Sequence, residues 1–78
     1  MTKAQAQRTE VMMKEFAKDE NVSVEEIGGT LYVFGPELAT LRIFAKYLSN
    51  GSVQNPKVRV GYSENMKSNY FSLEMRSI

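Results

Sequence analysis

Two stretches in the second half of the chain alternate apolar and polar residues, and this alternation constrains the fold more than any other feature. In residues 57–62 the apolar positions are Val58, Val60 and Tyr62, with Lys57 and Arg59 between them. Successive side chains of a strand point to opposite faces, so we expect the apolar row to face a core and the basic residues to face away. In residues 70–76 the predicted core row is Phe71, Leu73 and Met75, and the predicted outward row is Tyr70, Ser72, Glu74 and Arg76.

Two further strands are predicted on either side of Gly28 and Gly29. The β-prone residues 22–27 and 30–34 flank this pair. A Gly-Gly pair between two such runs is typical of a two-residue hairpin turn, which requires positive φ angles.

Two helices complete the pattern. Residues 2–19 have apolar side chains at helical spacing and Thr2 as a suitable cap, and the polar residues 3–8 are expected to fray or project into solvent. The second helix is predicted to start at Pro36, whose missing N–H costs nothing at the first helical position, and to end at Asn50 and Gly51. Its predicted inner stripe consists of Leu38, Leu41, Ala45 and Leu48, with Phe44 at the margin.

The element order is therefore predicted to be α-β-β-α-β-β, within a single small α+β domain of residues 1–78. A four-stranded antiparallel or mixed sheet with both helices packed on one face is the economical arrangement. The pattern leaves the order of the strands within the sheet open. A domain of this size buries a comparatively small fraction of its surface, so we expect marginal stability.

The composition excludes several kinds of chemistry. The chain has no cysteine and no histidine, which excludes disulfides, zinc fingers, thiolate catalysis and imidazole catalysis. The acidic residues, such as Glu25 and Glu26, lack the spacing of a calcium or magnesium site. We therefore expect a non-enzymatic protein without a cofactor or a metal.

The distribution of apolar and charged residues bears on location and partners. No segment is long and apolar enough for a signal-peptide core or a membrane span, so we expect a cytoplasmic protein without membrane contact. The net charge is +1, but residues 1–37 have four basic and seven acidic side chains (net −3), whereas residues 38–78 have six basic and two acidic ones (net +4). Such a dipolar chain suits protein partners of mixed charge at least as well as nucleic acid.

The outward row of the predicted sheet is the main candidate binding surface. Open sheet faces that bind single-stranded RNA use aromatic rings for stacking and cations for phosphates, whereas an ordinary solvated strand has the same residue types and Glu74 neutralises part of the charge. Arg42 and Lys46, one turn apart on the second helix, either extend this basic surface or form an ordinary helix exterior with Tyr47. The candidate residues for nucleic-acid or partner binding are Lys57, Arg59, Tyr70, Arg76, Tyr32, Arg42 and Lys46.

The first helix offers a second candidate surface. Met12 and Met13 are consecutive, so one of them is expected to point partly outward. Either the methionines fill gaps in a small core, or they form a homodimer surface together with Phe16.

Residues 30–38 (TLYVFGPEL) and 58–65 (VRVGYSEN) resemble the small accessory proteins of T-even-type bacteriophages. The resemblance extends over most of the chain. It consists of the short length, the lack of cysteine and the compact succession of predicted helices, strands and turns. It includes no motif from which site residues could be carried over to this sequence. Proteins of that group commonly bind a host factor, and one of them, a toxin-inhibitory factor, neutralises a type III toxin ribonuclease in association with RNA. The resemblance thus implies an inhibitor or takeover protein in the cytoplasm of a host cell.

Residues and resemblance together predict a binding protein that binds and blocks a host or defence protein such as a toxin ribonuclease, with RNA as a further ligand at the basic sheet face. The alternative is a free-standing RNA-binding module that uses this basic and aromatic face. The two differ in salt dependence, because phosphate contacts release counterions.

Overall fold

The computed structural model describes residues 2–50 and 57–75 and has the predicted α+β architecture. The elements follow the predicted order α-β-β-α-β-β. They are α1 (Lys3–Ala17), β1 (Ser23–Ile27), β2 (Thr30–Gly35), α2 (Glu37–Ser49), β3 (Lys57–Ser63) and β4 (Ser68–Glu74). The connector predicted at residues 52–56 and the candidate residue Arg76 lie outside the described residues.

The four strands form one antiparallel sheet in the order β1-β2-β4-β3. β1 and β2 form the predicted hairpin, and Gly28 and Gly29 have φ angles of 59° and 84°. β2 and β4 are the central strands, whereas β1 and β3 are the outer ones. Both helices pack on one side of the sheet, α1 against β1 and α2 against β2 and β4. We call this side the helix face and the opposite side the outer face.

A capping box fixes the start of α1. The Gln5 amide donates a hydrogen bond to Thr2 Oγ1 (3.1 Å), and the Thr2 amide donates one to Gln5 Oε1 (2.7 Å). These bonds satisfy backbone donors that the first turn leaves without an intrahelical partner. Thr2 is therefore the cap that the sequence predicted.

Among the described residues, no helix is long and apolar enough to cross a membrane.

The core lies between the helices and the helix face of the central strands. The row predicted for β4 is confirmed, because Phe71, Leu73 and Met75 are all buried. The rest of the core comes from both helices and from β2. These residues are Met13, Leu31, Val33, Ile43 and Tyr47.

The burial predicted for β3 is wrong. Val58, Val60 and Tyr62 do lie on the helix face, opposite Leu73, Phe71 and Asn69 of β4. However, they are 39%, 70% and 56% exposed. β3 is an outer strand, and α2 packs over β2 and β4. The apolar row of β3 is therefore left without a helix above it in the described part of the chain.

The inner stripe predicted for α2 is also wrong. The predicted residues Leu38, Leu41, Ala45 and Leu48 are all exposed. The residues that face the sheet are Ala39, Thr40, Ile43 and Tyr47. α2 has apolar residues on more than one side, so its periodicity fits two stripes equally well, and packing against the sheet selects one. Thr40 is accommodated because its hydroxyl donates a hydrogen bond to the Glu37 carbonyl (2.8 Å).

Tyr47 was predicted on the helix exterior and is instead 2% exposed in the core. Its hydroxyl has no hydrogen-bond partner among the described residues, and burial raises the pKa of Tyr47 above its ordinary value of 10.0. As the pH rises above that ordinary value, the folded protein therefore keeps the phenolic proton of Tyr47 while the unfolded chain loses it. The stability linked to this group is present below that ordinary value and is lost as the pH rises beyond it.

Replacing Tyr47 by phenylalanine should stabilise the protein. A buried hydroxyl without a partner costs roughly 1–3 kcal/mol in mutational data, so we expect Tyr47→Phe to raise the free energy of unfolding by about 1 kcal/mol at neutral pH. The difference should grow above about pH 10, where only the wild type loses the contribution of the phenol. Urea unfolding of both proteins at neutral and alkaline pH measures this. Equal losses of stability above that pH would contradict the burial of Tyr47.

The outer face of the sheet as candidate functional site

Three rows of residues cross the outer face, and the strand register defines them. Residues directly opposite each other in an antiparallel pair point to the same face. The rows, in the order β1, β2, β4 and β3, are Ser23-Phe34-Tyr70-Gly61, Glu25-Tyr32-Ser72-Arg59 and Ile27-Thr30-Glu74-Lys57. Four of the seven candidate residues thus lie together on this face. They are Tyr32, Lys57, Arg59 and Tyr70.

An aromatic cluster occupies the middle of the outer face. The rings of Tyr32 and Phe34 are stacked, with centroids 5.6 Å apart and 6° between their planes. The Tyr70 ring is tilted against both, at 5.9 Å from Tyr32 and 6.1 Å from Phe34. Phe34 is 8% exposed beside its two half-buried neighbours. Each tyrosine ring therefore packs against Phe34 and the other tyrosine while part of it remains accessible.

Gly61 provides the space in which the Tyr70 ring lies. A Cβ atom at this position would come within 3.2 Å of the ring and of its hydroxyl oxygen. Any other residue would therefore push the ring away from β3. Gly61 was not a candidate site residue in the sequence, because a glycine inside a strand pattern does not reveal which side chain lies against it.

The cations lie on β3, beside the aromatic cluster. Lys57 and Arg59 are exposed and line a small polar hollow of about 160 Å³. Thr30, Tyr32, Ser72 and Glu74 complete its lining. The register puts Glu74 directly opposite Lys57 and Ser72 opposite Arg59. Arg59 thus has a neutral neighbour on β4, whereas the charge of Lys57 is partly balanced by a carboxylate.

Arg42 and Lys46 do not extend this surface, because α2 packs on the helix face. Arg42 Nε donates to both carboxylate oxygens of Glu20, at 2.6 and 3.1 Å. This bond holds the pKa of Glu20 below its ordinary value and raises that of Arg42. Lys46 Nζ lies 6.0 Å from the centroid of the Phe16 ring. The interpretation of these two residues as part of the sheet surface is therefore wrong.

The first-helix surface is used in part by the protein's own core. Met13 is fully buried, whereas Met12 and Phe16 are partly buried where they pack against the core cluster. Met13 thus fills space in the core, and a homodimer through Met12 and Phe16 stays a prediction.

Phe34 is the site residue that the sequence interpretation missed. It lies two positions after Tyr32 in the same strand and therefore on the same face. The alternation of β2 contains this signal, because Phe34 shares its face with Tyr32.

No group of three or more potential metal ligands occurs within the described ranges 2–50 and 57–75.

No protein-family model, curated protein or solved structure matches this chain.

Proposed function

We propose that this protein is a non-enzymatic binding protein and that the outer face binds single-stranded RNA. The observation that carries the proposal is the position of two partly accessible tyrosine rings beside two exposed cations on the side of the sheet away from the helices. Single-stranded nucleic acid is bound by this combination, because bases stack on rings while phosphates pair with lysine and arginine.

Each side chain has a distinct role in this proposal. Tyr32 and Tyr70 offer ring surface to two bases, and Phe34 holds both rings in place. Arg59 and Lys57 on the neighbouring outer strand contact the phosphates. Ser72, which is buried at the centre of the face, separates Tyr32 from Arg59 by two strand spacings, or about 10 Å.

The charges of the face predict weak binding with a shallow salt dependence. The two cations share the face with two carboxylates, because Glu74 lies directly opposite Lys57 and Glu25 lies at the far end of the row of Arg59. For two phosphate contacts, the logarithm of the binding constant should fall with the logarithm of salt concentration with a slope of about −1.4. Stacking of bases on the tyrosines should contribute the part of the binding free energy that does not depend on salt, roughly 1–3 kcal/mol per base.

Reversing both cations tests the proposal. We expect the double variant Lys57→Glu and Arg59→Glu to weaken binding of a labelled uridine oligonucleotide at least about tenfold, because each lost contact to a charged group is worth about 1.5–3 kcal/mol. The matched control is Lys3→Glu with Lys46→Glu, which makes the same change of net charge on the helix side. Fluorescence anisotropy at several salt concentrations measures both. Wild-type affinity in a folded double variant would refute the proposal.

Tyr70 separates stacking from charge. We expect Tyr70→Ala to weaken binding by about 1–3 kcal/mol without changing the salt slope, and Tyr70→Phe to restore it, since stacking requires the ring and not the hydroxyl. A variant without the ring that binds as tightly as the wild type would mean that bases do not stack here.

A second candidate function is the inhibitor that the resemblance implies, which binds and blocks a host or defence protein. The exposed leucines of α2 favour it, since Leu38, Leu41 and Leu48 are each more than half exposed and apolar surface of this kind marks protein contacts. Affinity capture from bacterial lysate, with and without ribonuclease treatment, tests it, with Leu38→Gln and Leu48→Gln as the matched variant. A stoichiometric protein that the wild type captures after the treatment and the variant loses would favour the inhibitor. Recovery of mostly RNA from the untreated lysate, with no protein retained after the treatment, would favour the outer face.

A further inference from the structure

The outermost strand β3 has an exposed apolar row and, within the described residues 2–50 and 57–75, one edge that pairs with no strand. It pairs with β4 along all seven residues, from Lys57 opposite Glu74 to Ser63 opposite Ser68. Its other edge faces no strand in the described sheet, whose order ends at β3. The strand contains no proline, and its row of Val58, Val60 and Tyr62 is exposed. A regular apolar edge of this kind is a template for pairing with another chain.

We propose that a second copy of this chain pairs with β3 in antiparallel orientation, with the two-fold axis passing through Val60. The two four-stranded sheets would then form one sheet of eight strands. An antiparallel pair of identical strands has its two-fold axis perpendicular to the sheet, so the helices of both copies lie on the same side. The helix face and the outer face are therefore continuous across the dimer.

The residues of β3 select this register. With the axis at Val60, the two Val60 side chains meet, and Val58 lies opposite Tyr62 of the partner subunit. On the outer face, Arg59 lies opposite Gly61 of the partner subunit and Lys57 opposite Ser63 of the partner subunit. Every apolar residue of the row gains an apolar neighbour, and no two like charges lie directly opposite each other, since the two Arg59 residues are diagonal neighbours.

The neighbouring registers fit less well. An axis at Arg59 would place two arginines directly opposite each other, which destabilises a strand pair. An axis at Gly61 would place two glycines in contact and leave Val58 beyond the paired region. A shift by a single residue would turn the apolar row to the wrong face. The sequence of β3 is thus self-complementary about Val60.

A groove on the helix face also favours pairing with the β3 strand of a second copy. It lies between α2 and β3, has a volume of about 390 Å³ and includes Leu41, Phe44, Val60 and Phe71 in its lining. Leu41 on its rim is exposed. Because the two-fold axis brings the α2 helices of both copies to the same side, the partner's Val60 and Tyr62 enter the space beside this groove. An apolar groove that continues an unpaired apolar edge fits a strand with an apolar row, and β3 itself is such a strand.

The dimer has a consequence that rests on the proposed RNA binding. Lys57 and Arg59 of both copies would lie on the two central strands of the joined outer face, between two aromatic clusters. One RNA strand would then contact four cations and two pairs of tyrosines. The dimer should therefore bind a long oligonucleotide more tightly than a short one, whereas a monomer should distinguish them much less.

Introduced cysteines test the contact, since the chain has none of its own. In the proposed dimer the Cα atoms of the two residues at position 60 are about 4.5–5.5 Å apart, within the range that a disulfide spans. We expect Val60→Cys to become mostly disulfide-linked dimer under mild oxidation. The matched control is Val11→Cys on α1, because Val11 is 63% exposed and Val60 is 70% exposed. This control should remain mostly monomeric.

Two further cysteine variants test the register. Val58→Cys and Tyr62→Cys should form a disulfide when the two proteins are mixed, because these positions are opposite each other. Neither should do so alone, since two copies of position 58 are four residues apart along the strands, or about 13 Å. Cross-linking of each variant with itself at the level of the mixture would overturn the register.

The wild type provides the independent measurement. Sedimentation should give a mass that rises with concentration from 8.9 kDa to twice that value, and Val60→Lys, which places two lysines on the axis, should remain monomeric. A wild-type mass of 8.9 kDa at every concentration, together with no excess cross-linking of folded Val60→Cys over Val11→Cys, would overturn the dimer. Neither experiment includes RNA, so the dimer can fail while RNA binding stands, and a cross-linked dimer without affinity for RNA would contradict only the proposed function.

Discussion

Phe71→Ala should remove a large part of the protein's stability. Phe71 is 2% exposed on the central strand β4, and its ring lies 5.2 Å from that of Phe44 on α2. It therefore connects the sheet to the helix layer. Removing a buried phenylalanine side chain costs about 3–5 kcal/mol, because the apolar contacts are lost and a cavity remains. Domains have about 0.05–0.15 kcal/mol of stability per residue, or about 4–12 kcal/mol for a chain of 78 residues.

Urea unfolding followed by circular dichroism measures this loss. Phe71→Leu is the conservative variant, since it keeps most of the volume and should cost clearly less. Val11→Ala removes apolar atoms from an exposed position of α1 and should change stability by no more than about 0.5 kcal/mol. If Phe71→Ala were as stable as Val11→Ala, Phe71 would not be a core residue, and the packing of α2 on β4 would be wrong.

The local features of the fold could be predicted from the sequence. The Gly28-Gly29 turn, the Thr2 cap and the alternation of β4 each depend on neighbours in the chain, and the structure confirms them. The start of α2 was predicted one residue early, at Pro36, which is the residue before the helix. Each of these features depends only on residues that are close to one another in the chain, so it can be predicted from a single sequence.

Burial could not be predicted where it depends on the position of a strand in the sheet. β3 and β4 have equally regular alternation, and an apolar row indicates which residues share a face. It does not indicate whether a helix covers that face. Phe71 is buried and Val60, directly opposite it, is exposed, because β4 is central and β3 is outermost. That difference arises from the strand order β1-β2-β4-β3, which depends on contacts between distant parts of the chain.

In the candidate site, too, the local features could be predicted from the sequence, whereas those that depend on the strand register could not. Alternation alone predicted that Lys57 and Arg59 share a face, and likewise that Tyr70 points away from the core. The register of the strands was needed to show that Tyr32, Phe34 and Tyr70 form one cluster and that Gly61 makes room for it. Of the two interpretations of Arg42, its membership of the same surface depended on its charge alone. Its pairing with Glu20 on the helix side shows why charge alone is a poor guide to location.

Gly35→Ala should be the second most damaging substitution. Gly35 ends β2, next to the segment that connects α1 to β1. A Cβ atom at Gly35 would come within 2.6 Å of Val22 Cγ1 and 2.7 Å of the Asn21 carbonyl oxygen. Side chains can rotate away from such a contact, but a backbone carbonyl moves only if the connecting segment shifts. We expect a loss in the upper part of the range of about 1–3 kcal/mol that overpacking costs.

A double-mutant cycle with Val22→Ala separates the two contacts at Gly35. Val22→Ala removes the Cγ1 atom but leaves the Asn21 carbonyl in place, so Gly35→Ala should cost less in that background and still cost something. Gly28→Asn is the control, because no atom lies within 4 Å of the Cβ position at Gly28 and asparagine tolerates its positive φ angle. Urea unfolding of the four proteins of the cycle gives the coupling. If Gly35→Ala were harmless in both backgrounds, the connecting segment would not lie against the end of β2. In that case the start of α2, two residues later, would be positioned by the core contacts of Ile43 and Tyr47 alone.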